Sequence, residues 1–176
     1  KISQTIRKML LGILLVSSCV RAGGSSEGNE YSIKAMFLLN FIKYVEWPIE
    51  STKNTFQIGV IGESEMFDAL TMLTSKRSAE GQKVVIKRFE EKNSENYQMI
   101  FISNSDSQAI DELTKKYSAK GVLIITEEER GKARQSGINL FNQDNRIRFE
   151  INLPVIKNNG LKVSSKLLEL ATKVHQ

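Results

Sequence analysis

Short apolar runs that alternate with amphipathic segments are the feature that most restricts the fold of this 176-residue chain. The runs are rich in β-branched residues and predict four strands, at 56–61, 83–89, 97–102 and 121–126. Segments with helical spacing follow three of them, at 64–74, 106–117 and 127–135. Because parallel strands need crossover connections that cover both faces of a sheet, this order predicts a single α/β domain with a mostly parallel central sheet flanked by helices.

The pattern changes in the last quarter of the chain. Range 138–151 reads as two strands, and the polar quartet 142–145 between them predicts a β-hairpin. In the second strand, apolar residues alternate with Arg146, Arg148 and Glu150, which predicts one solvated face. These charged side chains are the best polar candidates for contact with a partner, although a solvated face needs no function.

Two further helices are expected after the hairpin. Pro154 suits the first turn of a short helix, which Gly160 ends. Ser164 suits the cap of a closing helix, whose apolar positions extend to Val174. The predicted domain therefore ends with a C-terminal hairpin and a closing helix.

The first long apolar segment, Tyr31–Pro48, predicts a helix that is apolar nearly all round. Such a helix either lies deep in a core or offers one side to a partner. Lys34 and Lys43 are about two and a half turns apart, so both are expected to reach water along one narrow strip. Pro48 disfavours helical geometry at Trp47, so the chain should turn there with the indole near the helix end.

Residues 1–22 have the three parts of a secretory signal: a basic start, an apolar centre and a small-residue end. Ordinary cleavage would fall before Gly23, and the segment ending in Cys19 also resembles a lipobox, which would leave Cys19 lipidated. The polar range 23–30 then reads as a flexible linker before a domain at 31–176. This predicts export, with a lipid anchor if Cys19 is processed.

The positive charge of the chain is concentrated in this leader. The whole sequence has 25 basic and 20 acidic residues, a net charge of +5. Without residues 1–22, which contain four of the basic residues and no acidic one, 21 minus 20 leaves +1. A domain so close to neutral gives no electrostatic argument for binding nucleic acid.

The sequence is poor in the side chains that most catalytic and metal sites need. Cys19 is the only cysteine and His175, next to the last residue, is the only histidine. Sites built on cysteine or histidine are therefore not expected, and we predict no metal, no cofactor and no catalytic residue. A carboxylate-based enzyme using Glu63 or Asp68 remains an alternative, but acidic residues near helix N-termini are expected from the helix dipole alone.

Two stretches of this sequence together resemble the YfiR-like family of exported regulators. The first is Tyr31–Pro48, and the second combines 146–153 with 160–171. The resemblance implies a periplasmic protein that binds the periplasmic part of an inner-membrane diguanylate cyclase and represses it, lowering cyclic-di-GMP and biofilm formation. It also implies release through an OmpA-like outer-membrane lipoprotein, and dimers are known among family members. Cysteine pairs make some members redox-responsive, and the predicted domain here contains no cysteine.

Two classes of function therefore remain open. The first is a non-enzymatic regulator that acts by protein–protein contact, with Trp47, Pro48, Tyr44, Arg148 and Glu150 as its expected contact residues. The second is a periplasmic module that binds a small ligand in a cleft near Trp47 and Tyr44. The absence of a nucleophile and base combination favours both over an enzyme.

Overall fold

The computed structural model describes residues 27–48, 55–62, 65–75, 83–90, 97–103, 108–117, 119–128 and 135–176. The predicted signal peptide, its two cleavage positions and Cys19 lie outside the described residues. So do Glu63 and the expected cap at Ser64.

Helix α1 (Glu27–Tyr44) is the predicted apolar helix, and it begins and ends four residues earlier than the sequence suggested. Its first turn therefore takes up residues 27–30 of the predicted linker. Pro48 explains the early end, because proline has no N–H to donate to the carbonyl of Tyr44 four residues before it. The amide of Ser164 takes this place and donates to the Tyr44 carbonyl at 2.9 Å.

Among the described residues, the central sheet has seven strands in the order β3-β2-β4-β5-β6-β7-β9. They are β2 (Thr55–Ile61), β3 (Lys83–Arg88), β4 (Met99–Ile102), β5 (Leu123–Thr126), β6 (Ile138–Gln143), β7 (Arg146–Asn152) and β9 (Lys173–His175). All neighbouring pairs are parallel except β6 and β7, which form the hairpin. A small separate pair, β1 (Val45–Glu46) with β8 (Lys162–Val163), is antiparallel. The prediction of a mostly parallel sheet with a C-terminal hairpin is confirmed.

Helices cover both faces of this sheet. Helix α1 and helix α2 (Met66–Ser75) pack on one face, and helix α3 (Gln108–Lys116) packs on the other. In β4, Met99 and Phe101 point to the first core and Ile100 and Ile102 to the second, as strand geometry requires. Every residue of β4 and β5 is buried, which explains why their sequences are continuously apolar rather than alternating.

The hairpin turn is tighter than the four residues that the sequence suggested. Strand β6 continues to Gln143, and only Asp144 and Asn145 form the turn. Their φ angles are 53° and 57°, the left-handed values of a type I′ turn, which Asp and Asn tolerate better than other non-glycine residues.

The end of the chain differs from the predicted closing helix. Helix α4 (Leu153–Asn158) begins beside Pro154 as expected, and Ser164 caps helix α5 (Ser165–Leu170) through a bond to the Leu167 amide. Helix α5 stops at Leu170, so the prediction that Val174 lies on it is wrong. Val174 belongs to β9, because the open edge of β7 accepts a parallel strand there.

The predicted acidic helix after β5 is also wrong where it can be checked. Glu127 and Glu128 are not helical, and Gln135 lies in a bend. Residues 129–134 lie outside the described ranges. Within those ranges, none of the helices combines the length and the apolar composition that a bilayer crossing requires.

Candidate functional site

Three of the predicted contact residues, Tyr44, Trp47 and Pro48, lie together where α1 ends. Trp47 is half-buried, and its Nε1 donates a hydrogen bond to the carbonyl of Ile42 at 3.0 Å. Its ring stands edge-on to Phe56 at 4.8 Å between centroids. The indole is therefore fixed in one orientation by a polar contact and an aromatic contact at once.

Pro48 is exposed and lies over the turn that leads into β5. A Cβ added to Gly121 would come within 2.8 Å of the Pro48 Cγ, so the proline ring rests directly on the glycine backbone. Gly121 has φ +71°, a conformation that favours glycine, and its amide donates to the Asn159 carbonyl at 3.0 Å. The close approach at Gly121 thus ties the end of α1 to the start of the sheet.

Tyr44 is half-buried beside the small β1–β8 sheet. The ammonium group of Lys166, on helix α5, lies 5.6 Å from the centre of the Tyr44 ring. Lys162 and Glu46 face each other across the two strands at 3.6 Å, and both are well exposed. We call this surface, formed by Tyr44, Glu46, Trp47, Pro48 and strand β8, the α1 platform.

Arg148 does not belong to the α1 platform. Strand β6 pairs with β5 only at Ile138 and Asn139, so the rest of the hairpin projects beyond the end of β5, and Arg148 is exposed on that projection. Asn142, on the same projection, donates to Glu30 near the start of α1 at 3.2 Å. An 18-residue helix is about 27 Å long, so the length of α1 separates the two predicted contact regions.

Glu150 is buried, with 3% of its surface exposed, so the prediction that it lies on a solvated face is wrong. One carboxylate oxygen accepts a hydrogen bond from Asn139 Nδ2 at 3.0 Å, and the other lies 2.9 Å from His175 Nε2. Asn139 Oδ1 also accepts from the hydroxyl of Thr126 at 3.0 Å. These contacts join four strands, β5, β6, β7 and β9, through one chain of polar groups.

A second buried polar group lies at the opposite end of α1 from the platform, on the face of the sheet that α1 covers. Lys34 is only 6% exposed, and its ammonium group lies 2.7 Å from both Glu127 and Glu30. The hydroxyl of Tyr31 also donates to Glu127, at 3.1 Å. The prediction that Lys34 reaches water is wrong, because Glu127, at the end of β5, provides a charged partner inside the protein.

The two carboxylates determine the ionisation of Lys34. Burial alone would lower the pKa of Lys34, but hydrogen bonds and charges from Glu127 and Glu30 outweigh it and raise the pKa above 10.5. The hydrogen bond from Lys34 lowers the pKa of Glu30 below its ordinary value of 4.5. The spacing of Glu30 and Lys34, one helical turn, was visible in the sequence, whereas the pairing with Glu127 depends on tertiary packing.

The alternative carboxylate site finds no matching geometry among the described residues. Asp68 is exposed on α2, and Glu63 lies outside the described ranges. Within those ranges, no three side chains of His, Cys, Asp or Glu converge in a way that could hold a metal ion.

Comparison with known proteins places these regions within one family. The family model described as YfiR/HmsC-like matches residues 31–172, a range that includes both stretches on which the resemblance rested. A comparison with curated proteins found no match. The matched range runs from the first apolar turns of α1 through helix α5, so it contains the α1 platform, the hairpin and both buried polar groups except Glu30 and His175. This chain belongs to the YfiR/HmsC-like family.

Proposed function

We propose that this protein is an exported, non-enzymatic regulator that binds the periplasmic part of a membrane signalling protein, a diguanylate cyclase, and represses it. The observation that carries the proposal is the family match over residues 31–172. Repression would lower cyclic-di-GMP and, with it, biofilm formation. The proposal places the protein in the periplasm, reached through the signal peptide at 1–22 and anchored by lipid if Cys19 is processed.

Repression requires that the protein prefers one state of its receptor. A ligand that binds both states equally shifts nothing, so the contact surface must match the inactive state better than the active one. Moving a receptor from almost fully active to almost fully inactive takes a preference of about 5.5 kcal/mol. Contacts of this size need a surface that is already ordered before binding, since ordering side chains on binding costs free energy.

The α1 platform suits this role because its aromatic and proline side chains are fixed by internal contacts. The indole of Trp47 is bonded to Ile42 and packed on Phe56, and Pro48 rests on Gly121. Tryptophan and tyrosine are enriched among the residues that dominate binding at protein interfaces. We assign the main contact with the cyclase to this platform and a second, separate contact to Arg148 on the hairpin.

A small-ligand cleft beside Trp47 is less well supported. The indole N–H, which a ligand would need for recognition, is already bonded to the Ile42 carbonyl, and one side of the ring is packed against Phe56. The remaining partners belong to the proposal: an OmpA-like outer-membrane lipoprotein that releases the regulator, and a second copy of this chain as a homodimer. Because the sequence from residue 31 to residue 176 contains no cysteine, release in this protein would proceed without a disulfide in the folded domain.

Deleting the gene and measuring cyclic-di-GMP tests the proposal. We expect the nucleotide level and biofilm mass to rise, and the wild-type gene to restore both. Pro48→Asp, which places a charge on the platform, should fail to restore them, whereas Met72→Asp should succeed. Met72 is a matched control because it is an apolar side chain that is 58% exposed on α2, a helix that contributes no residue to the platform. Thermal unfolding of both purified variants must show that each remains folded.

One outcome would contradict the proposal directly. If cyclic-di-GMP does not change on deletion while a membrane cyclase encoded beside the gene is expressed, the protein does not repress it. A pull-down of membrane proteins with the mature domain identifies the receptor. If Pro48→Asp and Met72→Asp both fail to restore the wild-type levels, the protein still represses the cyclase, but the contact can no longer be assigned to the platform.

A further inference from the structure

Exposed lysines lie near the α1 platform and make its surroundings positively charged. This charge favours an acidic partner, a preference that the aromatic residues alone would not give. We propose that the platform binds an acidic segment of its receptor, with the lysines forming the charged rim around the aromatic and proline centre. This inference rests on the proposed function and adds to it the chemistry of the receptor's contact segment. The lysines are Lys120, Lys157, Lys162 and Lys166.

Contacts of the fold bring the segments that carry these four lysines close to the platform. Lys120 precedes Gly121, the residue on which Pro48 rests, and Lys157 lies in α4, the helix that ends at Asn158 beside the same turn. Asn159 links the two elements, since its carbonyl accepts from the Gly121 amide at 3.0 Å.

The other two lysines adjoin the platform directly. Lys162 faces Glu46 across the β1–β8 pair, and its side chain is 80% exposed. Lys166 extends over the ring of Tyr44. Lys162 and Lys166 therefore lie beside the segment from Tyr44 to Pro48, and the segments that carry Lys120 and Lys157 adjoin it at Gly121. The ammonium group of Lys120 lies 5.6 Å from the centre of the Tyr117 ring.

The charge around the platform is positive even after its acidic neighbours are counted. Among the described residues, Glu46 pairs with Lys162, and Glu169 lies one turn after Lys166 on α5. Four lysines minus two glutamates leave +2 on this surface, whereas residues 23–176 as a whole carry only +1. An acidic partner would associate faster and in a more defined orientation, because complementary charges have both effects at interfaces.

The same lysines could also attract an anionic membrane, but the aromatic side chains argue for a protein. Membrane-surface binding relies on apolar side chains that project into the lipid. Here the Trp47 ring is turned inward against Phe56, and Lys166 lies over the ring of Tyr44. A half-buried aromatic centre with a charged rim matches the anatomy of a protein interface instead.

Exposed lysines also lie outside this surface, and they serve as a matched control. Exposed lysines also occur at Lys83 and Lys87 on the edge strand β3 and at Lys115 on α3. No platform residue lies on either of these elements. Reversing three charges there changes the net charge of the protein by the same amount as reversing three on the platform rim.

The experiment uses the full-length mature protein and the periplasmic part of the cyclase whose output rises on deletion of the gene. The test variant is the triple substitution Lys120→Glu, Lys157→Glu and Lys166→Glu, which leaves the Lys162–Glu46 pair intact. We expect its affinity for the cyclase to fall by about tenfold or more, because three attractive charges become repulsive. Wild-type affinity should weaken as salt is raised from low to physiological concentration.

The control is the triple Lys83→Glu, Lys87→Glu and Lys115→Glu, which should bind within about twofold of the wild type, since distant exposed charges are screened by salt. Circular dichroism and thermal unfolding must show both triples folded. Equal affinities of the two triples would overturn the proposal.

Vesicles of phosphatidylglycerol and phosphatidylethanolamine provide the second arm. If the test triple loses vesicle binding while its affinity for the cyclase is unchanged, the lysines serve a membrane surface and the proposal is wrong. If the wild-type protein neither binds nor represses the cyclase, the proposed function itself fails, and the inference about its contact segment falls with it. Normal wild-type binding with a normal test triple removes the inference alone.

Discussion

The two ends of helix α1 differ in whether their lysine side chains are buried or exposed. Near its start, Lys34 is buried and paired with two carboxylates, whereas Lys43 in its last turn is exposed. The first region is a closed polar contact that joins α1 to the end of β5. The second region leads into the platform, where exposed lysines lie beside aromatic rings. One helix therefore contributes stability at one end and, at the other, leads into the surface that we propose as the contact with the receptor.

The largest expected effect comes from removing the buried charge. Lys34→Ala leaves Glu127 buried without its cation, and breaking one side of a buried pair costs about 3–5 kcal/mol of unfolding free energy. Urea unfolding at pH 7 measures this cost. Lys43→Ala, an exposed lysine on the same helix, should stay within about 0.5 kcal/mol of the wild type.

A double variant sharpens this prediction. Lys34→Met combined with Glu127→Leu replaces the ion pair with apolar side chains of similar size and should recover most of the lost stability, as such replacements often do. If Lys34→Ala costs no more than Lys43→Ala, the buried pair contributes nothing, and the contrast between the two ends of the helix is lost.

The contrast also marks the limit of what the sequence could predict. Apolar periodicity identified α1, strands β2 to β5 and the hairpin, because these depend on spacing within a segment. It could not show that Lys34 is buried, since that depends on Glu127, 93 residues away. For the same reason the alternation in β7 placed Glu150 on a wet face, although Asn139 and His175, on β6 and β9, enclose it.

Part of the candidate site was nonetheless accessible from the sequence. Tyr44, Trp47 and Pro48 are neighbours in the chain, so the end of one helix brings them together without help from the rest of the fold. The lysines that surround them come from α4, β8, α5 and the turn before β5, and only the tertiary structure collects them. Local sequence therefore predicted the centre of the platform, and its charged rim required the fold.

The next effect tests how the platform end of α1 is held. Gly121→Ala should destabilise the protein by about 1–2 kcal/mol for the left-handed backbone, and by about 1 kcal/mol more because its methyl group would displace Pro48. Gly160→Ala is a matched control, since φ is +73° there and nothing lies within 4 Å of an added Cβ. Thermal or urea unfolding of the two variants gives the difference. Equal losses would mean that the contact between Pro48 and Gly121 adds no stability to this end of the helix.

The smallest effect is a pH dependence at the buried end of α1. Lys34 lowers the pKa of Glu30 below 4.5, so Glu30 contributes stability that is fully present above this value and is lost as pH falls through its folded pKa. The raised pKa of Lys34 matters at alkaline pH, because the stability that Lys34 contributes is lost only as pH rises beyond 10.5.

Glu30→Gln should therefore reduce the loss of stability below pH 4.5, by about 1 kcal/mol or less because Glu30 lies near the surface. Urea unfolding at pH 7 and at several lower pH values measures the slope. Glu46→Gln provides the comparison at the platform end, where the Glu46 and Lys162 side chains are 72% and 80% exposed and the pair is weaker by geometry. An equal change of slope in both variants would show that burial near Lys34 gives Glu30 no special role, because the same substitution at an exposed pair would then have the same effect.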